Sequence, residues 1–357
     1  MSAPMDVSEP RPEGAPGPAP TGAAGRRSEA LGRGEPPAAP PAAPPPPAVS
    51  VVIPTFRRPA LVVEAARSAL AQTLAAIEVV VVVDGEGCDG TAEALGALDD
   101  PRLVVLRPGR QLGNAGARNH GIAAARAPWI ALLDDDDLWM PDKLERQMAE
   151  AGASDARFPV VSCRLLARTD REEFLWPRRL PGPHQVKGNG IAGYTLCRHR
   201  PSTGDGVVQT STLLAPKALF GLVPFDAACR RFVDVDWLLR AARVEGVALL
   251  FAAPDRPLAV WRIDDRPRVS LGGGWREDVE WMRARRHLVP PRAYGGFMLT
   301  LPSIRAARER DRRAFLALLR EAFRGGARPG WAEVAFHVGN FALGPAIRRR
   351  LAALNRR

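Results

Sequence analysis

The chain predicts an α/β protein built on a doubly wound sheet, and three observations carry that reading. Two strand-length apolar runs, "VSVVIPT" (49–55) and "IEVVVVVD" (77–84), show no alternation, as expected of strands covered on both faces. Segments with helical spacing separate such runs from 49 to 134, the pattern of βαβ units. The polar residues Thr55, Asp84 and Asp134 all fall at the carboxyl ends of these runs, the edge where open α/β sheets bind ligands.

In chain order, residues 1–48 come first. They hold 14 of the 35 prolines and almost no large apolar side chains, so they are expected to be disordered. "VSVVIPT" opens the ordered part. "PALVVEAARSALAQTL" (59–74) places apolar residues at 62, 66, 69, 70 and 74 and predicts a helix. "IEVVVVVD" is the second strand, "GTAEALGAL" a helix, "RLVVLR" (102–107) the third strand, "NAGARNHGIAAARA" (114–127) a helix and "WIALLD" (129–134) the fourth strand. Pro141 in "LWMPDKLERQ" marks another helix start, with Asp142 and Glu145 in its first turn. Beyond 150 the pattern is mixed. "PVVSCRLLAR" and "VVQTSTLLAP" read as strands, "DVDWLLRAARVEG" (234–246) as a helix, and "VALLFAAPDRPLAVWRI" as two short strands. From about 275 the chain turns helical and arginine-rich.

Composition narrows the function classes. At 46% hydrophobic the chain can bury a core, and no apolar run reaches the roughly 18 residues that would span a bilayer. Acidic residues precede any basic one at the N-terminus and no apolar h-region follows, so a cytoplasmic protein is expected. Cys88, Cys163, Cys197 and Cys229 lack metal-ligand spacing and read as reduced thiols, and none of the five histidines forms a ligand pair. Residues 271–357 carry 18 Arg and 7 Asp/Glu, an excess that equals the whole net charge of +11. The basic character is therefore a property of the tail. No helix-turn-helix or zinc pattern accompanies it, so no nucleic-acid partner is expected. The tail's mixture of Arg with Phe, Leu and Trp leaves two readings: a helical cap with a solvated arginine face, or a peripheral contact with the inner face of the membrane.

The sharpest local feature is "LLDDDDLW". Four adjacent carboxylates repel one another, and at a strand end they are hard oxygen ligands suited to Mg²⁺ or Mn²⁺, which would relieve the repulsion. An acidic helix-capping turn is the plainer alternative. "GNAGARNHG" lacks GxGxxG spacing and is no dinucleotide fingerprint.

Taken together and in order, "VVIPTFRRPA", "VVVVVDGEGCDGT", "GNAGARNHGIAAARAPWIALLDDDDLWMPDKLERQ" and "FVDVDWLLRAA" resemble the inverting GT-A glycosyltransferases of family 2, over residues 49–270. The resemblance implies a GT-A mixed sheet with helices on both faces, a nucleotide-sugar-binding half (49–150), an acceptor half (151–270) and a basic helical C-terminal region (271–357). It implies transfer of a sugar from a UDP- or GDP-linked donor to a saccharide or lipid-linked acceptor. Carried over by residue, Pro54, Thr55 and Phe56 pack on the base with Arg58 as polar partner, Asp84 hydrogen-bonds the base, and Arg118 and Asn119 support base and phosphates. Asp134 and Asp136 form the DxD of a metal site holding Mn²⁺ or Mg²⁺, with Asp135 against the ribose. Asp137 is left to cap the next helix. Asp234 is the expected catalytic base, with Asp236 as its substitute, because transfer with inversion needs a carboxylate beside the acceptor hydroxyl. Thr210, Ser211 and Thr212 line the acceptor pocket, and Arg262 or Asp264 stands where relatives often carry a histidine. Two positions depart from the family pattern. Gly85 replaces a second aspartate beside Asp84, and Val233 replaces the first acid of the dyad that ends in Asp234. These departures support a rival reading, a non-catalytic nucleotide-sugar-binding protein of the same fold.

Overall fold

The computed structural model of the protein describes residues 46–85, 89–182, 185–201, 205–263 and 272–343. The segment expected to be disordered thus lies, as far as residue 45, outside the described residues, as do Cys88, His184 and Asp264.

The architecture is the GT-A mixed sheet. Strand β1 (Val49–Thr55) pairs in parallel with β2 (Ile77–Val83) and β4 (Trp129–Leu132), and β2 pairs in parallel with β3 (Leu103–Leu106). Every residue of β2 is buried, so its unbroken valine run satisfies a strand covered on both faces. Helices α1 (Pro59–Leu70), α2 (Thr91–Gly96) and α3 (Gly113–Ala124) make the crossovers. In α1, Pro59 occupies the first helical position, where no N–H is needed, and Val62, Ala65, Ala66 and Ala69 are buried. The helix stops at Leu70 and not at the expected 74. Gln72 ends it, donating to the Met140 carbonyl at 2.8 Å and accepting from Leu144 N at 3.0 Å.

The second half continues the same sheet. After a two-residue strand, β5 (Leu138–Trp139), come α4 (Lys143–Gly152), β6 (Phe158–Arg168), β7 (Glu173–Trp176), β8 (Gln185–Lys187) and α5 (Asn189–Leu196). Then follow β9 (Leu214–Pro216), α6 (Lys217–Leu222), α7 (Val233–Ala241) and β10 (Val247–Arg262). The strand order is β3-β2-β1-β4-β9-β6-β10-β5, with β7 on β6 and β8 on β10. Strand β9 runs antiparallel to both β4 and β6, which makes the sheet mixed.

Two expectations are corrected here. "VVQTSTLLAP" is not one strand. The Gln209 side chain accepts from Ser211 N at 2.8 Å and closes a 3₁₀ turn over Thr210–Thr212, leaving only three residues for β9. "VALLFAAPDRPLAVWRI" forms the single strand β10, which pairs with β6 on both sides of a register slip between Ala252 and Pro257. Pro254 and Pro257 lack the N–H that a regular ladder needs, so the chain between them leaves the sheet and rejoins it.

Five helices follow: α8 (Trp275–Ala284), α9 (Pro291–Met298), α10 (Leu301–Arg308), α11 (Arg313–Ala322) and α12 (Trp331–Ala342). Met282, Tyr294, Phe297, Met298 and Leu318 share a core with Ala192 and Leu196 of α5 and Leu239 of α7. The helical region is thereby packed onto α5 and α7 of the second half. No helix among the described residues is long and apolar enough to cross a membrane.

Helix α3 lies against the sheet through Gly121, where an added Cβ would stand 2.6 Å from Val52 Cγ1 and 3.0 Å from Val82 Cγ2. Both neighbours are rigid β-branched residues in mid-strand, so the helix must lift to admit a methyl group. Gly121→Ala is expected to destabilise the protein by about 1–3 kcal/mol. An unchanged denaturant midpoint would show that the helix has slack.

Candidate active site

The four aspartates follow β4 at the carboxyl end of the parallel strands, and each has its own partner. Asp134 accepts from the Arg118 guanidinium on one oxygen and from Gln209 Nε2 (3.3 Å) on the other. Asp135 accepts from Thr55 Oγ1 (2.8 Å) and Arg58 Nη1 (3.1 Å). Asp136 pairs with the same Arg58 nitrogen at 3.3 Å, while its backbone carbonyl accepts from Arg262 Nε at 2.6 Å. Asp137 accepts from Ser211 Oγ (2.6 Å), Gln209 Nε2 (2.7 Å) and Arg262 N (3.3 Å). Like charges are tolerated here because cations and neutral donors are interleaved between them.

Asp137 was expected to cap the next helix, and that is corrected. Helix α4 begins at Lys143 with Asp142 as its cap residue, and Pro141 precedes the cap. Asp137 is fully buried under the row, and burial, together with the charges of Asp134 and Asp136, pushes its carboxyl well above the usual range. Burial also raises Asp135, against the pull of Thr55 and Arg58.

The other first-half residues gather around the row. Asp84 closes β2 and accepts from Leu112 N (2.6 Å) and Gly113 N (2.9 Å) at the start of α3. Thr55 is buried, whereas Phe56, two residues beyond Pro54, is 39% exposed. Its ring lies over Gly85, where a Cβ would come within 2.9 Å of Phe56 Cε2, and Gly85 has φ +107°. The positive φ makes any side chain at this position strained, aspartate included. Arg118, 2% exposed, holds Asp134 and Asn114 and lies 5.7 Å from the Phe225 ring. Asn119 does not join it. Its amide bonds the backbone of Phe225 in both directions, donating to the carbonyl at 2.8 Å and accepting from the N–H at 2.9 Å. Asn119 thus ties α3 to the loop before α7, which corrects its expected place at the base and phosphates.

The second half supplies the remaining carboxylates. Asp234, at the start of α7, accepts from Val235 N at 2.8 Å and from Thr210 Oγ1 at 3.4 Å. Burial raises its pKa, opposed by the Val235 N–H and the Arg118 charge. Val233 is buried in the core, so an acid at that position would lose its hydration. Asp236 is corrected as the substitute base. Two residues along a helix it faces the other way, is 1% exposed, and is held by Arg240 (2.8 Å) and Arg285.

The turn between the halves carries more than the sequence suggested. Thr210, Ser211 and Thr212, expected to line the acceptor pocket, are all buried. Ser211 Oγ donates to Asp137 and accepts from Asp134 N at 3.0 Å, and Thr212 Oγ1 meets Ser162 Oγ at 2.8 Å. Thr210 reaches Asp234 from the same turn, which links the acid row to the expected base. Gln209 was missed altogether. A polar residue placed directly before "TST" and after two valines was its only signal.

Among the described residues no group of three or more His, Cys, Asp or Glu is arranged to hold a metal ion. Asp134 has its two oxygens engaged by Arg118 and Gln209 in this arrangement. Asp136 and Asp134 are both hard carboxylates with partly exposed side chains, 18% and 26%, a donor chemistry that suits a divalent cation.

Comparison with known proteins bears on the fold and the family. Residues 50–200 match the family model described as Glycosyl transferase family 2. Among curated relatives, the succinoglycan biosynthesis protein ExoO of Rhizobium meliloti (strain 1021) is 42% identical over 112 residues, 31% of this chain and 32% of that protein. The Escherichia coli protein named UDP-Glc:alpha-D-GlcNAc-diphosphoundecaprenol beta-1,3-glucosyltransferase WfgD is 34% identical over 153 residues, 43% of this chain and 60% of that one. The chain therefore spans less than two thirds of the length of these relatives. Among solved structures, S. aureus TarS 1-349 in complex with UDP-GlcNAc superposes with a TM-score of 0.55 at 16% identity, covering 82% of this chain and 89% of that one. At that identity the likeness speaks for the fold.

The raised carboxyl of Asp137 has a stability signature. A carboxyl with a folded pKa above its unfolded value contributes stability that is complete below the unfolded pKa and is lost as pH rises through the folded one. Asp137→Asn keeps the shape and removes the titration. The variant is expected to gain on wild type in Tm as pH rises from 5 to 9. Parallel Tm–pH curves would mean that Asp137 stays ionised.

Proposed function

Because residues 50–200 belong to glycosyl transferase family 2, we propose that the chain transfers a sugar from a UDP- or GDP-linked donor to an acceptor hydroxyl with inversion, in the synthesis of a cell-surface polysaccharide or glycoconjugate. One observation carries the reading. The carboxylates that follow β4 and the carboxylate opening α7 are linked through a single buried turn, Gln209–Thr212, and this link supports a reading in which Asp234 serves as base beside the acid row. The names of the relatives support both the polysaccharide context and a UDP-linked sugar.

In this mechanism Asp234 takes the proton of the acceptor hydroxyl as the bond between the anomeric carbon and the diphosphate breaks. Burial helps, because a base whose pKa lies closer to neutrality takes a proton more readily. Thr210 and Val235 N hold the carboxylate in place, and Arg118 favours its ionised form. Phe56, half exposed over Gly85, offers a face to the base, and Thr55, Arg58 and Asp135 form the floor beside it. A Mn²⁺ or Mg²⁺ ion bound with the diphosphate would neutralise charge on the leaving group, and Asp136 would hold it. Arg58, now on Asp135 and Asp136, is the nearest cation to rearrange when that happens.

Two measurements test this. Asp234→Asn is expected to lower sugar transfer by about 10²–10⁴-fold with nearly unchanged donor affinity, since a general base acts on the acceptor. Wild-type transfer in this variant would remove Asp234 from its role, and nucleotide binding without transfer to any acceptor would favour the non-catalytic reading that Val233 allows. Separately, EDTA is expected to abolish transfer, with Mn²⁺ or Mg²⁺ restoring it, and Asp136→Asn is expected to lose activity while melting like wild type. Full activity in chelator would exclude the metal.

A further inference from the structure

Helix α12 is inside out for a helix bathed in water. It buries Glu333, His337 and Asn340 and exposes Trp331, Ala335, Val338 and Ala342, spaced four, three and four residues apart along one stripe. The buried polar groups are satisfied. Glu333 accepts from Arg292 (2.8 Å) and Arg198 N (2.6 Å), His337 meets Ser303 Oγ (2.9 Å) and the Phe315 carbonyl (3.1 Å), and Asn340 donates to Ser303 (3.1 Å). The helix is therefore fastened in this orientation, with its apolar stripe outward.

The neighbouring helix α11 touches α12 through the ring of Phe315 on His337 and exposes apolar residues of its own. Leu316 of α11 follows directly on Phe315, which stacks on His337 at 4.7 Å, and Val338 follows directly on His337. Trp331 is 71% exposed, Leu316 54%, Phe323 50% and Val338 43%. These are four of the six large hydrophobic residues exposed among the described ones. The charges around them have one sign. Between 312 and 343 the exposed charged residues are Arg312, Arg313, Arg320, Arg324 and Arg328, while the two acids, Glu321 and Glu333, are buried.

We propose that the outer face of α11 and α12 docks on an anionic lipid bilayer, with Trp331, Val338, Leu316 and Phe323 entering the boundary between headgroups and acyl chains and the arginines meeting lipid phosphates. An outward apolar stripe with an aromatic residue, rimmed by cations alone, matches both layers of such an interface. A second copy of the chain is a poorer occupant, because a two-fold contact sets the patch on itself and brings the arginines against one another. The inference concerns a surface outside the acid row and holds whichever sugar is transferred.

The test uses the full chain, co-sedimented with vesicles of phosphatidylcholine alone and of phosphatidylcholine mixed equally with phosphatidylglycerol. Binding is expected to the mixed vesicles at low salt, at least about tenfold weaker to the neutral ones, and weakened by added salt. Trp331→Ser with Val338→Ser changes only exposed positions, so the thermal melt is expected to stay put while vesicle affinity falls about tenfold or more. Arg313→Glu with Arg320→Glu is expected to remove the preference for anionic lipid, at about fivefold for each arginine. Absence of binding to anionic vesicles at low salt overturns the proposal, as does unaltered binding by the serine pair. A dimer in light scattering that the serine pair dissolves would assign the face to self-association instead. None of these readouts depends on sugar transfer, so they stand or fall apart from the catalytic reading.

Discussion

Everything in the acid row depends on how four adjacent carboxylates are kept from driving one another apart. Unscreened by water, neighbouring like charges would unfold the turn that carries them. The protein meets this with three arginines and with the burial of the fourth carboxyl among neutral donors. Arg118 holds Asp134, Arg58 spans Asp135 and Asp136, and Arg262 grips the backbone between Asp136 and Asp137. The fourth carboxyl is buried and pushed towards its neutral form. Each arginine comes from a different part of the chain: the turn after β1, the helix α3, and the end of β10. The row is thus the knot at which the two halves of the sheet are tied.

That dependence explains which parts were legible in advance. The first half was, because fully buried parallel strands need unbroken apolar runs and the helices between them need 3.6-residue spacing, and both leave plain marks in "IEVVVVVD" and "PALVVEAARSAL". The placement of Thr55, Asp84 and Asp134 at the carboxyl ends of the strands was also legible, since strand ends can be counted. The partners were not. Gln209 and Ser211 meet Asp137 across more than 70 residues of sequence, and nothing local announces such a contact. The same holds for Asn119, whose neighbour Arg118 does reach the row while Asn119 binds the Phe225 backbone. Residue type in a motif foretold position, and the long-range hydrogen bonds decided the role.

The errors of element assignment have the same origin. "QTST" looked like strand because its residues suit one, but the Gln209 side chain closes a turn on its own backbone, an option open to short polar stretches anywhere. "FAAPDRPL" looked like a break because two prolines cannot donate to a ladder, yet β6 is long enough to pair with both flanks. In the first case a local side-chain bond competed with the strand, and in the second a tertiary pairing overrode the local break.

The two departures from the family pattern become intelligible on this frame. Gly85 and Phe56 fit together: the positive φ at 85 favours glycine, and the Phe56 ring lies where its Cβ would be, beside Asp84. Val233 belongs to the core beneath α7, where an uncompensated acid would be costly. A helix turns about 100° per residue, so once 233 points into the core, 234 and 236 cannot share a face. Asp236 is drawn to Arg240 and Arg285, and Asp234 is the one left towards Thr210 and the row. Asp236 is thus tied to arginines, whereas Asp234 keeps a threonine hydroxyl, a backbone N–H and the field of Arg118, which together oppose the rise in pKa that desolvation brings.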